Sequence, residues 1–227
     1  MSGPLVSVIV PTWNAASYLA DALECIAAQS YAPHETLIVD AGSTDGTLEI
    51  AARFGLTPLR QTGTGLADAW NCGLAAASGE AIAFLDSDDT WAPDKLEKQA
   101  AVLEARPEVD AVITRVRFVL EPGLEVPPGF RAELLDGDYL SQMPSSLLAR
   151  RSVFERIGEF DTRWEIASDI DWFARVLDSD LRVEVVDEVL VSKRIHDSNL
   201  SNSGGPRLGR ELIEVLRLKV ARGRGDA

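Results

Sequence analysis

Apolar and polar positions along the chain switch between two periods. "VSVIV" (6–10) is a short β-branched run closed by Pro11, and Leu19, Leu23 and Ile26 follow at helical spacing. That is a strand feeding a helix. "TLIVD" (36–40) repeats the pattern: "AGSTDG" supplies turn residues and an N-cap, "TLEIAARF" the helix, and Gly55 its C′ residue. A helix around 66–77, stopped near Gly79, leads into the strand "AIAFLD". Pro93 fits the first position of the helix "PDKLEKQAAVLEA", and "DAVITRVRFVL" reads as a further strand. Alternation of this kind implies a mostly parallel sheet with helices on both faces, and in such sheets ligands sit beyond the carboxyl ends of the strands. Asp40 and Asp86 each close a strand, so they are expected along one rim.

The pattern breaks at 121–143, where Pro122, Pro127, Pro128 and several glycines predict an irregular, functional or mobile loop. Beyond it, "SSLLARRSVFERIGEFD" gives a short strand and a helix ending at Gly158, and "SDIDWFARVLDSD" a helix capped by Ser168. "RVEVV" and "VLVSKRI" read as two strands before the polar turn "HDSNLSNSGG". Residues 207–224 predict a helix basic on one face. The expected organisation is one domain over 1–205, with halves at 1–110 and 111–205, and a basic C-terminal helix or tail over 206–227.

Composition narrows the classes. With 22 basic against 36 acidic residues the chain carries −14, which argues against a nucleic-acid binder, because no large positive surface exists to displace phosphate counterions. Cys25 and Cys72 lack metal-type spacing and lie in helix-like apolar stretches, which reads as buried free thiols in a reducing compartment. No apolar run approaches the roughly twenty residues of a spanning helix, and "MSGPLVSVIVPTWN" has neither a basic leader nor a cleavage-type site. A cytoplasmic protein is expected, able to touch the inner face of a membrane peripherally.

The carboxylates of "LDSDDT" change the picture. Asp86, Asp88 and Asp89 follow directly on an apolar strand, where their mutual repulsion weakens the fold unless a cation is held. Hard oxygen ligands with no nearby cysteine suit Mg²⁺ or Mn²⁺, ions that commonly bridge to phosphates, so a diphosphate is the natural partner. "AIAFLDSDDT" also fits the strand and Asp-x-Asp-x-Thr of haloacid-dehalogenase-type phosphatases, with Asp86 as nucleophile and Asp88 as acid/base. That motif belongs on the first core strand of its fold, whereas here two strand-helix units precede it.

Those units carry a resemblance of their own. "SVIVPTWNAASYLADALECIAAQSY", "LIVDAGSTDGT", "GLADAWNCGLAAASGEAIAFLDSDD" and "GEFDTRWEIASDIDWFAR" resemble, in order, the successive motifs of the family 2 glycosyltransferases of the GT-A fold, over about residues 5–200. The resemblance implies a Rossmann-like α/β domain with a nucleotide-sugar half at 1–110 and an acceptor half at 111–205. It implies inverting, metal-assisted transfer of a sugar, hexosyltransferase in type, from a UDP-sugar to the hydroxyl of a saccharide, lipid-linked or other acceptor. Pro11 and Trp13 would cradle the base, with Trp13 stacking on uracil unless it is simply core. Asp40 would accept the uracil N–H unless it caps a turn. Asp68 and Asn71, three apart on one helix face, would approach the nucleotide or donor sugar. Asp86 and Ser87 would line the donor diphosphate. Asp86 and Asp88 would hold Mn²⁺ or Mg²⁺, with Asp88 the direct ligand, His196 a ligand or close neighbour, and Asp89 a support or a helix cap. Asp169 would be the general base in the first turn of its helix, where the dipole favours ionisation. The family often has Glu-Asp where this chain has Ser168-Asp169, and Asp171 is the nearest substitute. A nucleotide-sugar-binding protein without catalysis is the remaining alternative.

Overall fold

The structure is a computed structural model that describes residues 3–128, 130–197, 199 and 205–224. The strand β1 (Val6–Thr12) is buried along its whole length. Alternation sends Val6, Val8 and Val10 into one apolar cluster and Ile9 into another. Ser7 donates to Glu35 at 2.6 Å and accepts the Gly79 N–H at 2.8 Å, and Thr12 donates to the Val39 carbonyl at 3.3 Å, so both polar side chains of the strand are satisfied. Both faces of β1 are therefore covered, as a parallel strand requires.

Parallel neighbours flank it: β2 (His34–Asp40) on one side, β4 (Ala81–Phe84) on the other, with β3 (Leu59–Arg60) beyond β2. One face is packed by α1 (Leu19–Ala27), α2 (Thr47–Arg53) and α4 (Lys95–Ala105), through Leu19, Leu23, Ile26, Ala51, Leu96 and Leu103. The other is packed by α3 (Leu66–Ala76), α5 (Arg151–Ile157) and α6 (Ser168–Leu177), where Phe154 stacks on Trp172 at 5.0 Å.

Beyond β4 the sheet is mixed. The short strand β8 (Leu148–Arg150) lies antiparallel between β4 and β6 (Ala111–Leu120), and β9 (Val183–Ile195) runs parallel to β6. The two-residue β5 (Thr90–Trp91) pairs antiparallel with β9, and β7 (Asp138–Leu140) with β6. The order is β3-β2-β1-β4-β8-β6-β9-β5, parallel over its first four strands. The chain returns from β6 without a crossover helix, so β8 enters the gap from the opposite direction.

Register puts Thr12 opposite Asp40 and Ile9 opposite Phe84, so Asp40 and Asp86 fall on the same carboxyl-end rim, as their sequence positions imply. Other expectations shift. Pro93 precedes the N-cap Asp94 of α4, because its carbonyl is turned out to accept the Ser30 N–H. Ser168 lies inside α6, whose N-cap is Ala167; the capping acceptor is Glu211 of α7 (Gly205–Arg224), which takes the N–H groups of Glu165, Ile166 and Ala167. "RVEVV" and "VLVSKRI" form one strand, whose pairing with β6 shifts register on either side of Arg115. The 121–143 segment holds a 3₁₀ turn (Ala132–Asp136) and β7. Cys25 and Cys72 are free thiols, half-buried rather than buried.

The basic residues of α7 do not share one face. Arg207 pairs with Glu165, Lys219 with Asp178 at 2.8 Å, and Arg222 with Asp178 at 3.4 Å, all turned toward α6 and the segment before it. Arg210 and Arg217 are exposed.

A Cβ added at Gly73 would lie 2.3 Å from Ile9 Cγ2, in the densest contact between α3 and β1. Gly73→Ala is expected to destabilise the fold by about 1–3 kcal/mol through overpacking, despite better helix propensity. Urea denaturation measures it, and an unchanged midpoint would show that α3 rides loosely on the sheet.

Candidate functional site

The site grows from the end of β4. The strand runs out at Phe84, Leu85 donates to the Ile9 carbonyl at 3.0 Å, and the chain turns as Asp89 donates its N–H to the Asp86 carbonyl at 3.1 Å. Asp86, Asp88 and Asp89 each offer a carboxylate oxygen within 4.8 Å of the others, with Ser87 half-buried between them. Directly after this turn, β5 pairs with Val191 and Ser192 of β9, which brings the end of β9 against the acidic turn.

Two groups of partners divide the three aspartates. Lys193 Nζ donates to Asp86 Oδ2 and Asp89 Oδ2, each at 3.1 Å. Asp89 is fully buried and also accepts the Arg194 N–H at 3.0 Å. Burial pushes its carboxyl up to about 7, against the opposing pull of Lys193. Burial works against the Lys193 charge too, but the surrounding Asp89, Asp86 and Asp88 outweigh it and hold the ammonium well above lysine's ordinary pKa. Asp88 lies on the other side. Its Oδ2 is 3.0 Å from His196 Nε2 and 3.1 Å from Asn199 Nδ2. The His196 ring is buried and stacked on Tyr18 at 4.4 Å, and the residue's backbone N–H donates to Asn199 Oδ1 at 2.6 Å.

The carboxylates of Asp86, Asp88 and Asp89 could hold a divalent ion between them, and Asp88 Oδ2 lies within hydrogen-bond distance of His196 Nε2. The donor set of carboxylate and imidazole suits Mn²⁺ at least as well as Mg²⁺.

Asp169 stands in the first turn of α6, where its Oδ1 accepts the Ile170 N–H at 2.8 Å. Burial pushes its carboxyl up to about 6 against that hydrogen bond; the nearby Asp86 charge adds to the rise and Lys193 opposes it. Asp171 stands in different surroundings. It is buried and held in an ion pair with Arg175 at 2.9 Å, which also donates to the Ile157 and Glu159 carbonyls.

The remaining residues separate. Trp13 is 68% exposed, so it is not core, and Asn14 beside it takes a positive φ of 47° while its side chain accepts the Thr44 N–H. Pro11 is buried at the end of β1. Asp40 is buried and accepts the Gly42 N–H at 2.8 Å, the Ser43 N–H at 3.0 Å and the Ser43 hydroxyl at 2.5 Å, an acceptor already engaged in its own turn. Asp68 accepts the Gly63 N–H at 2.8 Å. Asn71 spends its amide on the Phe160 backbone, donating at 2.8 Å and accepting at 3.0 Å, so it clamps α3 to the loop before α6 and does not act with Asp68. Sequence reasoning passed over Lys193, Asn199 and Tyr18. The available signal was a lone lysine near the end of the apolar run "VLVSKRI", immediately before the histidine turn.

The model of the family described as glycosyl transferase family 2 matches residues 7–166. A PGL/p-HBAD biosynthesis glycosyltransferase of Mycobacterium tuberculosis is 31% identical over 215 residues, 89% of this chain and 81% of the relative. The first curated relatives are longer, and the chain spans about two thirds of their length. Among solved structures, S. aureus TarS 1-349 in complex with UDP-GlcNAc superposes with a TM-score of 0.75 at 22% identity, covering 95% of this chain and 66% of that one. The mannosyltransferase PcManGT from Pyrobaculum calidifontis, in complex with GDP-Man and Mn²⁺, gives a TM-score of 0.66 at 26% identity over 87% of this chain and 59% of that one. The first of these likenesses speaks for the GT-A fold alone.

If Asp88 and His196 form one ion site, His196→Ala lowers Mn²⁺ affinity by at least about tenfold, the usual weight of disturbing a metal's ligand surroundings. Calorimetric titration of the full chain with Mn²⁺ reads this directly. Unchanged affinity would reduce His196 to a turn residue.

Proposed function

The chain belongs to glycosyl transferase family 2, and on that footing we propose that it transfers a sugar from a nucleotide diphosphate sugar, a UDP-sugar by preference, to an acceptor hydroxyl with inversion. The observation that carries this reading is the convergence on one rim of the Asp86–Asp89 turn, the Asp88–His196 pair and the desolvated Asp169. Relatives support the donor class: TarS is solved with UDP-GlcNAc and PcManGT with GDP-Man and Mn²⁺. The phosphatase reading falls with the family assignment. The non-catalytic reading is answered by assay.

Each residue then has a task. Trp13 offers an exposed ring on which a base can stack, and Pro11 and Asp40, buried in neighbouring strands, belong to the same base site. Asp68 borders the donor side from the start of α3. Ser87 lies in the turn that meets the diphosphate. Asp88 and His196 would hold Mn²⁺ or Mg²⁺ with Asp86 close by, and the bound ion would neutralise charge on the departing diphosphate. Asp169 takes the proton of the acceptor hydroxyl. Its raised pKa makes it a stronger base than an ordinary aspartate while leaving most of it ionised at neutral pH.

Among the described residues no helix is long and apolar enough to cross a membrane. The outer face of α7 presents Ile213, Leu216 and Val220, each more than half exposed, beside Arg210 and Arg217. That combination suits peripheral contact with an anionic lipid surface, and a saccharide, lipid-linked or other hydroxyl acceptor presented there.

UDP release from a panel of UDP-sugars with Mn²⁺ tests the reaction class, and binding without release would leave only a nucleotide-sugar receptor. Asp169→Asn is expected to cut turnover by roughly 10²–10⁴-fold with UDP affinity nearly unchanged. The base works only when ionised, so the wild-type rate should rise with pH through about 6 and level off above it. A profile flat from pH 5 to 7 contradicts the assignment. For the α7 face, Leu216→Glu should abolish sedimentation with phosphatidylglycerol vesicles; equal sedimentation of variant and wild type would discard the lipid contact.

A further inference from the structure

Lys193 has no task in the reading above, yet it occupies the centre of the rim. Its Nζ sits 3.1 Å from both Asp86 Oδ2 and Asp89 Oδ2, so one positive charge of the chain itself is shared between two of the three carboxylates. Asp88, with His196 and Asn199, is the part left for an ion. The next residue cannot share the work. Arg194 is turned away, its guanidinium 2.7 Å from Asp21 and over the Tyr18 ring.

An ammonium carries three donors, of which Asp86 and Asp89 take two. The Lys193 side chain is 18% exposed, and among the described residues its ammonium has no third hydrogen-bond partner. A diphosphate arriving at this rim meets three aspartates, and the repulsion must be offset by cations on the protein side. Lys193 is placed to be one that is always present.

Resting on the transferase reading, we propose that Lys193 is a resident cation of the donor site: it holds Asp86 and Asp89 and gives its remaining N–H to the donor diphosphate, so that part of nucleotide binding needs no metal.

Removing Lys193 alone leaves a buried Asp89 carboxylate without its partner and endangers the fold, so the informative variant is Lys193→Met combined with Asp89→Asn. Asparagine retains the oxygen that accepts the Arg194 N–H. Asp89→Asn alone, which keeps the lysine, is the control. Calorimetric titration of the full chain with UDP and GDP, in excess EDTA and again with Mn²⁺, and with uridine and guanosine, reads the phosphate contribution. In EDTA the double variant is expected to lose about tenfold in diphosphate affinity relative to the Asp89→Asn control, with nucleoside affinity unchanged. Equal diphosphate affinity in variant and control, or a parallel loss for the nucleosides, would overturn the proposal. Wild-type chain that binds neither UDP nor GDP under any of these conditions would instead overturn the transferase reading itself.

Discussion

A single ammonium between two carboxylates ties together elements far apart in sequence. Lys193 stands near the end of β9, Asp86 and Asp89 beyond the end of β4, and β5 is the short piece of sheet that brings them to the same place. Replacing a buried ion pair by apolar groups is often neutral, so this one is not explained by stability alone. Removing one partner is different: an uncompensated buried charge costs about 3–5 kcal/mol. The pair therefore fixes geometry. It sets where the Asp86–Asp89 turn sits relative to β9, and so where His196, three residues on from Lys193, meets Asp88.

The sheet makes that geometry possible by being two constructions joined at β4 and β8. The first four strands are parallel, covered on both faces, and deliver the ends of β1, β2 and β4 to one rim. Past β4 the pairing turns mixed, and β9 shifts register against β6 near Arg115 before it reaches β5. A strand that kept one register throughout would carry its last residues along the sheet instead of toward the acidic turn. Two clamps hold the other side: Asn71 on the Phe160 backbone, and Glu211 on the N–H groups that open α6. Neither touches the rim, yet both place Asp169.

What could be read from the sequence follows the range of the forces involved. The strand-helix alternation through α4, the shared rim of Asp40 and Asp86 and the acidic turn all rest on local periodicity and turn chemistry, which the chain displays directly. The antiparallel β8 and the capping of α6 by Glu211 depend on partners tens of residues away, which no local pattern announces. The same holds for single residues. Asn71 looked like a site residue because it shares a helix face with Asp68; its amide is in fact spent on a backbone 89 residues distant. Lys193 looked like a strand residue because its carboxylate partners lie 104 and 107 positions earlier.

Asp169 and Asp171 show how two identical side chains two residues apart on one helix acquire different chemistry. Helical geometry turns them about 200° apart, so they face different surroundings. Asp171 meets Arg175 one turn later and is locked as an ion pair, its charge balanced and its oxygens engaged. Asp169 has no ion-pair partner among the described residues, and the nearby Lys193 offsets its burial only in part. It is withdrawn from water, holds one backbone N–H and feels Asp86 across the rim, so its charge is raised in energy and its affinity for a proton with it. A carboxylate in the second condition gains by taking a proton from an incoming hydroxyl; one in the first condition would have to break an ion pair to do so. The environment, and not the residue type, sets Asp169 apart from Asp171 and suits it to the proposed role of base.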